Sequence, residues 1–128
     1  MFDPTHFAYL FSALIALVVI FQLCLALGAP WGELAMAGKF PGRFPVQMRI
    51  VALLQIVVLV FIAMVVLTRA GLVLDEFYVF SRSAIWAVVL FSFVGLILNA
   101  ITPSKKERML WLPVATILMI CATYVAMS

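Results

Sequence analysis

Four long apolar runs limit this chain to very few folds. They cover residues 7–28, 46–67, 83–101 and 109–126, and glycine, proline or charged residues interrupt the sequence between them. An α-helix rises about 1.5 Å per residue, so a run of roughly 20 apolar residues matches the hydrocarbon core of a bilayer. The sequence therefore predicts an all-α fold. We expect a four-helix transmembrane bundle with antiparallel up-and-down topology, in a single integral membrane domain over residues 1–128.

The composition points to the lipid bilayer as the solvent of this chain. Hydrophobic residues make up 68% of the sequence and charged residues only 10%. A soluble domain has about half apolar and about a quarter charged residues, so this chain could not cover itself with a polar surface. The eight basic residues are too few and too dispersed to follow a phosphate backbone, and we expect no nucleic-acid partner.

The basic residues predict which way the bundle sits in the membrane. Six of them lie around the first and third connections, and only Arg69 and Arg82 lie on the opposite side. By the positive-inside rule, the first and third connections face the cytoplasm and both termini lie outside. The six residues of the predicted cytoplasmic side are Lys39, Arg43, Arg49, Lys105, Lys106 and Arg108.

Each apolar run carries one polar residue near the predicted cytoplasmic face. These residues are Gln22, Gln55, Asn99 and Thr116. Counted from the neighbouring connections, all four fall roughly 6–9 Å below the interface, in one layer. In one interpretation they hydrogen-bond between helices, at about 0.6–2 kcal/mol for each contact. In the other they form the polar floor of a cavity that opens to the cytoplasm, and they are candidate ligand-binding residues.

The segment 28–49 is the longest interruption of the apolar sequence, and it lies above this predicted layer. We expect Trp31 to pack against the end of the bundle near residues 104–108, as an interfacial aromatic residue. Glu33 is the only acid of the segment, and a solvated charge or an ion pair with Lys39 or Arg43 is its simplest role. Arg49 can extend toward the headgroups. These three residues complete the set of candidate ligand-binding residues.

Two small residues in the third run predict a close contact between helices. Ser92 and Gly95 are three residues apart, which places them on the same face of a helix. Small side chains with this spacing let membrane helices approach closely. We therefore expect this face to pack tightly against a neighbouring helix.

No pattern in the sequence indicates a catalytic or metal site. His6 is the only histidine, and Cys24 and Cys121 lie far apart inside apolar runs. Zinc and bis-histidine haem need more ligands than one such chain supplies. We therefore expect no catalytic residue, no metal and no cofactor.

Several short motifs resemble those of one protein family. GAPWG at 28–32, G-x-F-P-G-x-x-P at 38–45 and N-A-I-T-P-S-K-K-E-R at 99–108 are similar to motifs of a family of small uncharacterised bacterial integral membrane proteins. This resemblance implies four helices in the bacterial inner (cell) membrane and no known activity. The matching residues are Gly28, Pro30, Trp31, Gly32, Gly38, Pro45, Arg49, Asn99, Ser104, Glu107 and Arg108.

Three functions remain open from the sequence. The first is a bundle that binds or passes a small molecule or ion from the cytoplasmic side, as a homo-oligomer because one four-span chain has little room for a pathway. The second is a structural or accessory subunit of a larger membrane complex. The third is a membrane enzyme acting on a lipid or quinone, in which Glu33, Arg43 or Glu107 takes part.

Overall fold

A computed structural model describes residues 3–128. Four α-helices account for most of it: α1 Pro4–Ala26, α2 Val46–Arg69, α3 Tyr78–Ile101 and α4 Lys105–Met127. Single 3-10 turns at Gly32–Leu34, Met36–Gly38 and Asp75–Phe77 lie in the connections. The predicted all-α fold is confirmed. All four helices are long and apolar enough to cross a membrane, as expected of a multi-pass membrane protein.

Three helices begin earlier than their apolar runs, and the first of them, α1, starts at Pro4. α3 starts at Tyr78, in a segment predicted to be a connection. α4 starts at Lys105, so residues 105–108 form its first turn rather than a free turn. Ser104 caps this helix, because its Oγ accepts the backbone N–H of Glu107 at 3.3 Å. The S-x-x-E spacing is that of a capping box, and it lets charged residues begin an otherwise apolar helix.

α1 also has defined ends. At its start the Asp3 carboxylate Oδ1 accepts the backbone N–H of Thr5 at 2.8 Å, and Pro4 occupies the first helical position. This hydrogen bond holds the pKa of Asp3 below its usual value. At its end Gly28 adopts φ +102°, a backbone conformation that favours glycine, and the chain leaves the helix there.

The helices form a ring in chain order. α1 packs against α2 and α4, α3 packs against α4 and α2, and contacts across the diagonals are sparse. The start of α1 lies beside the end of α4, because the Phe7 and Tyr124 rings stack with centroids 4.1 Å apart. The end of α1 lies beside the start of α4, where the Phe21 and Trp111 rings meet at 4.8 Å. Contacts between opposite ends of α1 and α4 are those that an antiparallel arrangement requires. For the bundle as a whole, the antiparallel topology stays a prediction.

The packed core occupies only one half of the bundle. It is built from the starts of α1 and α3 and the ends of α2 and α4, which we call the terminal end. The opposite half, which we call the loop end, comprises the end of α1, the start of α2, the end of α3, the start of α4 and the loop 27–45. The core consists of Ala8, Phe11, Ile15, Leu59, Ile62, Val65, Val66, Ile85, Val88, Cys121, Ala122, Val125 and Ala126.

Candidate functional site

The loop folds back on itself at a position that only glycine can occupy. The backbone N–H of Gly32 donates to the carbonyl oxygen of Gly42 at 2.8 Å. A Cβ on Gly32 would stand 1.8 Å from the carbonyl oxygen of Phe40 and 2.7 Å from that of Gly42. Real Cβ atoms do not approach a backbone atom so closely, so a larger residue would force the loop apart. Gly32 therefore determines the compact shape of the loop.

Three contacts dock the loop onto the start of α4. Ser104 Oγ donates to the carbonyl oxygen of Glu33 at 2.8 Å, and Trp111 Nε1 donates to that of Leu34 at 2.9 Å. Lys106 Nζ pairs with Glu33 Oε1 at 3.1 Å. The expected ion pair of Glu33 within the loop is therefore wrong, because its partner lies on α4. The loop is attached to the bundle mainly through its backbone carbonyls.

Trp31 contributes less to this docking than expected. Its side chain is 44% exposed, and its ring faces that of Phe21 at a centroid distance of 6.2 Å. Trp111 instead connects the loop to the helix bundle, because it contacts Phe21 on α1 and the carbonyl oxygen of Leu34 in the loop. Trp31 thus meets the end of α1 through Phe21, and its packing near residues 104–108, where the loop docks, stays a prediction.

Arg49 joins the two ends of the loop rather than extending away from them. Its Nε donates to the carbonyl oxygen of Phe44 at 3.0 Å. Its guanidinium lies against Gly28, where a Cβ would stand 3.3 Å from one terminal nitrogen. The end of α1 and the start of α2 thus meet through this side chain, which is half-buried. Arg49 supports the loop and is not part of the cavity lining described below.

A cavity of about 770 Å³ lies between the four helices at the loop end. Ligand sites in proteins commonly measure about 300–1,000 Å³, so this volume suits a small molecule. Its walls are mainly aliphatic and aromatic side chains from all four helices, and loop residues cover one side. The polar and charged side chains of its lining are Gln22, Lys39, Gln55, Ser92, Asn99, Thr102 and Glu107.

Three of the four predicted layer residues line this cavity. They are Gln22, Gln55 and Asn99, whereas Thr116 is exposed and donates through Oγ1 to the carbonyl oxygen of Leu112 on its own helix. Asn99 Nδ2 also bonds its own helix, at the carbonyl oxygen of Gly95. Among residues 3–128, the side chains of Gln22 and Gln55 make no hydrogen bond. The expected hydrogen bonds between the three amides are therefore absent from the described part of the chain.

The four residues also do not form one layer. Gln55 is the tenth residue of α2, about 14 Å along it, whereas Asn99 is the third from the end of α3, about 3 Å from it. The second helix begins at Val46, as its apolar run predicted, so Gln55 lies deeper along it than the predicted depth of roughly 6–9 Å. Their shared cavity comes from the face that each residue occupies, and not from a common depth.

Glu107 is a buried acid in the cavity wall. It lies in the charged segment 105–108, yet its side chain is only 9% exposed. Thr102 Oγ1 donates to its Oε2 at 3.3 Å, and Arg108 holds the carbonyl oxygen of Thr102 at 3.0 Å. The spacing contained a signal for this position. Glu107 shares one helical face with the cavity-lining residues Trp111, Ala115 and Leu118.

The cavity has an opening between α2 and α3. A Cβ on Gly95 would meet no atom of another element within 4 Å, so the expected close helix contact at this residue is wrong. Ser92, one turn away, is buried. Several residues of α3 line the cavity and are exposed at the same time, which places them at its mouth. They are Phe91, Val94, Leu98 and Ile101, all apolar.

The site contains no group of three or more histidine, cysteine, aspartate or glutamate residues that could hold a metal ion, within residues 3–128. No protein-family model matches the sequence, and no curated protein or solved structure matches it either. The resemblance to a bacterial membrane family therefore stays an expectation based on its motifs.

Proposed function

We propose that this protein is a membrane-embedded binding protein that holds a small amphipathic molecule in the cavity at the loop end. One observation carries the proposal. Gln22 and Gln55 line an otherwise mainly apolar cavity and make no hydrogen bond within the described chain. An amide left without a partner in an apolar environment costs several kcal/mol, at least about 2. A polar group held in the cavity supplies that partner.

The cavity volume favours binding over a purely structural role. Protein interiors are close-packed, and voids larger than a water molecule are few. A subunit that only filled space in a larger complex would close about 770 Å³ with its own side chains. The core at the terminal end shows that this chain can pack tightly elsewhere. We therefore rank ligand binding above the accessory-subunit alternative.

The orientation of the site follows from charge. We place the loop end in the cytoplasm by the positive-inside rule, and the protein in a bacterial inner membrane because of its motif resemblance. A homo-oligomer was expected because one chain has little room for a pathway. A single chain already surrounds about 770 Å³, so ligand binding does not need a second copy. Homo-oligomerisation stays a separate proposal.

The experiment uses Trp111 as a reporter, because its ring lines the cavity. The variant W31F/W86F leaves it as the only one of three tryptophans. The protein is placed in nanodiscs of dioleoyl phosphatidylcholine and titrated with two bromine-containing alcohols that quench tryptophan on contact. Tribromoethanol is water-soluble, and dibrominated octadecanol dissolves in the bilayer. We expect saturable quenching by at least one probe, in addition to linear collisional quenching.

The amides provide the specific variants. Replacing Gln22 and Gln55 by leucine should weaken binding roughly 3- to 30-fold for each amide, because hydrogen bonds in membranes contribute about 0.6–2 kcal/mol. Thr116→Val is the matched control, since this hydroxyl lies outside the cavity and should leave the affinity unchanged. Purely linear quenching by both probes would refute the binding function.

A further inference from the structure

We propose that the ligand is a single-chain amphiphile dissolved in the bilayer, with an uncharged head, and that it enters the cavity sideways between α2 and α3. This inference rests on the proposed function and adds the ligand class and its route. Three observations support it: the position of the opening, the docked loop segment over part of the cavity, and the distribution of polar groups along the cavity.

The opening lies within the apolar part of the bundle. Its rim on α3 includes Val94 and Leu98, which are 46% and 58% exposed and also line the cavity. Val58, which is 46% exposed, lines it from α2. Between them Gly95 presents no side chain, and nothing of another element approaches it. An apolar rim on two helices of membrane-spanning length borders hydrocarbon, so a molecule dissolved there meets no polar barrier.

Docked loop residues cover part of the side that faces the loop, where the lining residues Met36 and Lys39 are exposed. Leu34, Ala35 and Met36 line the cavity there. Their segment is held by the hydrogen bonds from Ser104 to Glu33 and from Trp111 to Leu34. A molecule from the bilayer reaches the cavity without breaking any of these contacts.

The polar groups of the cavity suit an uncharged head. Its lining carries one cation, Lys39, and one anion, Glu107, so their formal charges cancel. Gln22 and Gln55 each offer donors and an acceptor, which match a hydroxyl or an amide head. A charged head would pay for its desolvation and would face one like charge in the lining.

The remainder of the cavity suits an apolar tail. Ile15 on α1 and Ile62 on α2 line it seven residues beyond Gln22 and Gln55, toward the terminal end. Seven helical residues correspond to about 10 Å. The lining there is aliphatic or aromatic and continues into the packed core. The amides therefore lie nearer the loop end, and an apolar channel extends beyond them.

The test compares probes with and without a tail on the same Trp111 reporter in nanodiscs. We expect saturable quenching by dibrominated octadecanol and only linear quenching by tribromoethanol. Gly95→Leu should weaken binding of the long probe at least tenfold, because the new side chain extends into the opening. Leucine favours helix over glycine, so the variant should fold. Ala87→Leu is the control, since Ala87 is exposed on α3 outside the lining and should leave the affinity within twofold.

The possible outcomes separate this inference from the proposed function. If tribromoethanol binds saturably through Gln22 and Gln55 while the long alcohol does not, the amphiphile is refuted and the binding function stands. If neither probe binds, both are refuted. Equal affinities of the Gly95→Leu and Ala87→Leu variants would refute the lateral route. Tighter binding of dibrominated octadecylamine or dibrominated stearate than of the alcohol would refute the uncharged head.

Discussion

At the scale of single residues, helix face matters more than depth. Gln55 and Thr116 were assigned to the same layer, yet only Gln55 faces the cavity. The hydroxyl of Thr116 bonds the carbonyl oxygen four residues earlier, at 2.8 Å, and so needs no partner outside its own helix. A glutamine side chain cannot satisfy all its groups in this way. The two residue types therefore carry different information about a site.

Gly32 provides a test at this scale. Replacing it with alanine should lower the stability of the protein by about 1–3 kcal/mol, the usual cost of forcing extra atoms into a packed position. The added Cβ would stand 1.8 Å from the carbonyl oxygen of Phe40, and the loop would have to open. Thermal unfolding in detergent, followed by circular dichroism, measures the change.

Gly95→Ala is the matched control. Its Cβ would meet no atom of another element, and alanine favours helix by about 1 kcal/mol over glycine. Its melting temperature should stay the same or rise. If both glycine variants behave alike, the loop at Gly32 is not as tightly closed as the structure shows.

At the scale of elements, the loop and α4 form one unit. Ser104 both caps α4 and donates to the carbonyl oxygen of Glu33, so one hydroxyl starts the helix and holds the loop. The capping pattern is visible in the sequence, because it acts over three residues. The contact with Glu33 connects residues 71 positions apart, and only the folded chain shows it.

Ser104→Ala should destabilise the protein by about 1–3 kcal/mol. It removes a helix cap, which contributes about 0.5–2 kcal/mol, and a hydrogen bond of about 1 kcal/mol. Lys106→Ala removes an ion pair whose side chains are 70% and 48% exposed, and such pairs contribute about 0–1 kcal/mol. Unfolding of both variants in mixed micelles measures the loss of stability that each substitution causes. A larger loss for Lys106→Ala would show that charge, rather than the cap, holds the loop.

At the scale of the whole molecule, the two halves of the bundle differ. The terminal end is a packed apolar core, and the loop end surrounds a cavity beneath a docked loop. Basic residues concentrate at the loop end, where Lys39, Arg43 and Lys106 are all exposed. The side of the membrane that the loop end faces therefore determines where the cavity lies. The distribution of basic residues predicts that this side is the cytoplasm.

Labelling of single cysteines tests the orientation. Arg43→Cys in the loop should be protected from a membrane-impermeant maleimide added to intact cells, and Met127→Cys should react with it. The reason is the excess of basic residues at the loop end, which the positive-inside rule predicts to lie in the cytoplasm. Labelling in broken membranes controls for accessibility, because both positions are exposed and should then react. Reaction of Arg43→Cys with the maleimide in intact cells would show that the loop end lies outside, opposite to the predicted topology.

Features that act over short range can be predicted from the amino-acid sequence. Apolar run length predicted four helices, and proline and glycine predicted the end of α1 and the loop. α4 starts four residues before its apolar run because the capping box at Ser104 lets charged residues form the first turn. Each of these features depends on residues a few positions apart, so no knowledge of the packing was needed.

Which helix faces meet is visible only in the folded chain. Gln22 and Gln55 line one cavity, Glu107 is buried in its wall, and Gly95 lies at an opening instead of a contact. In a water-soluble helix, polar residues mark the outer face and the apolar stripe marks the core. In lipid, side chains that face the bilayer are as apolar as those that face the core, so the sequence does not show how each helix is rotated. That rotation is set by contacts between distant segments, such as those of Trp111 with Phe21 and Leu34.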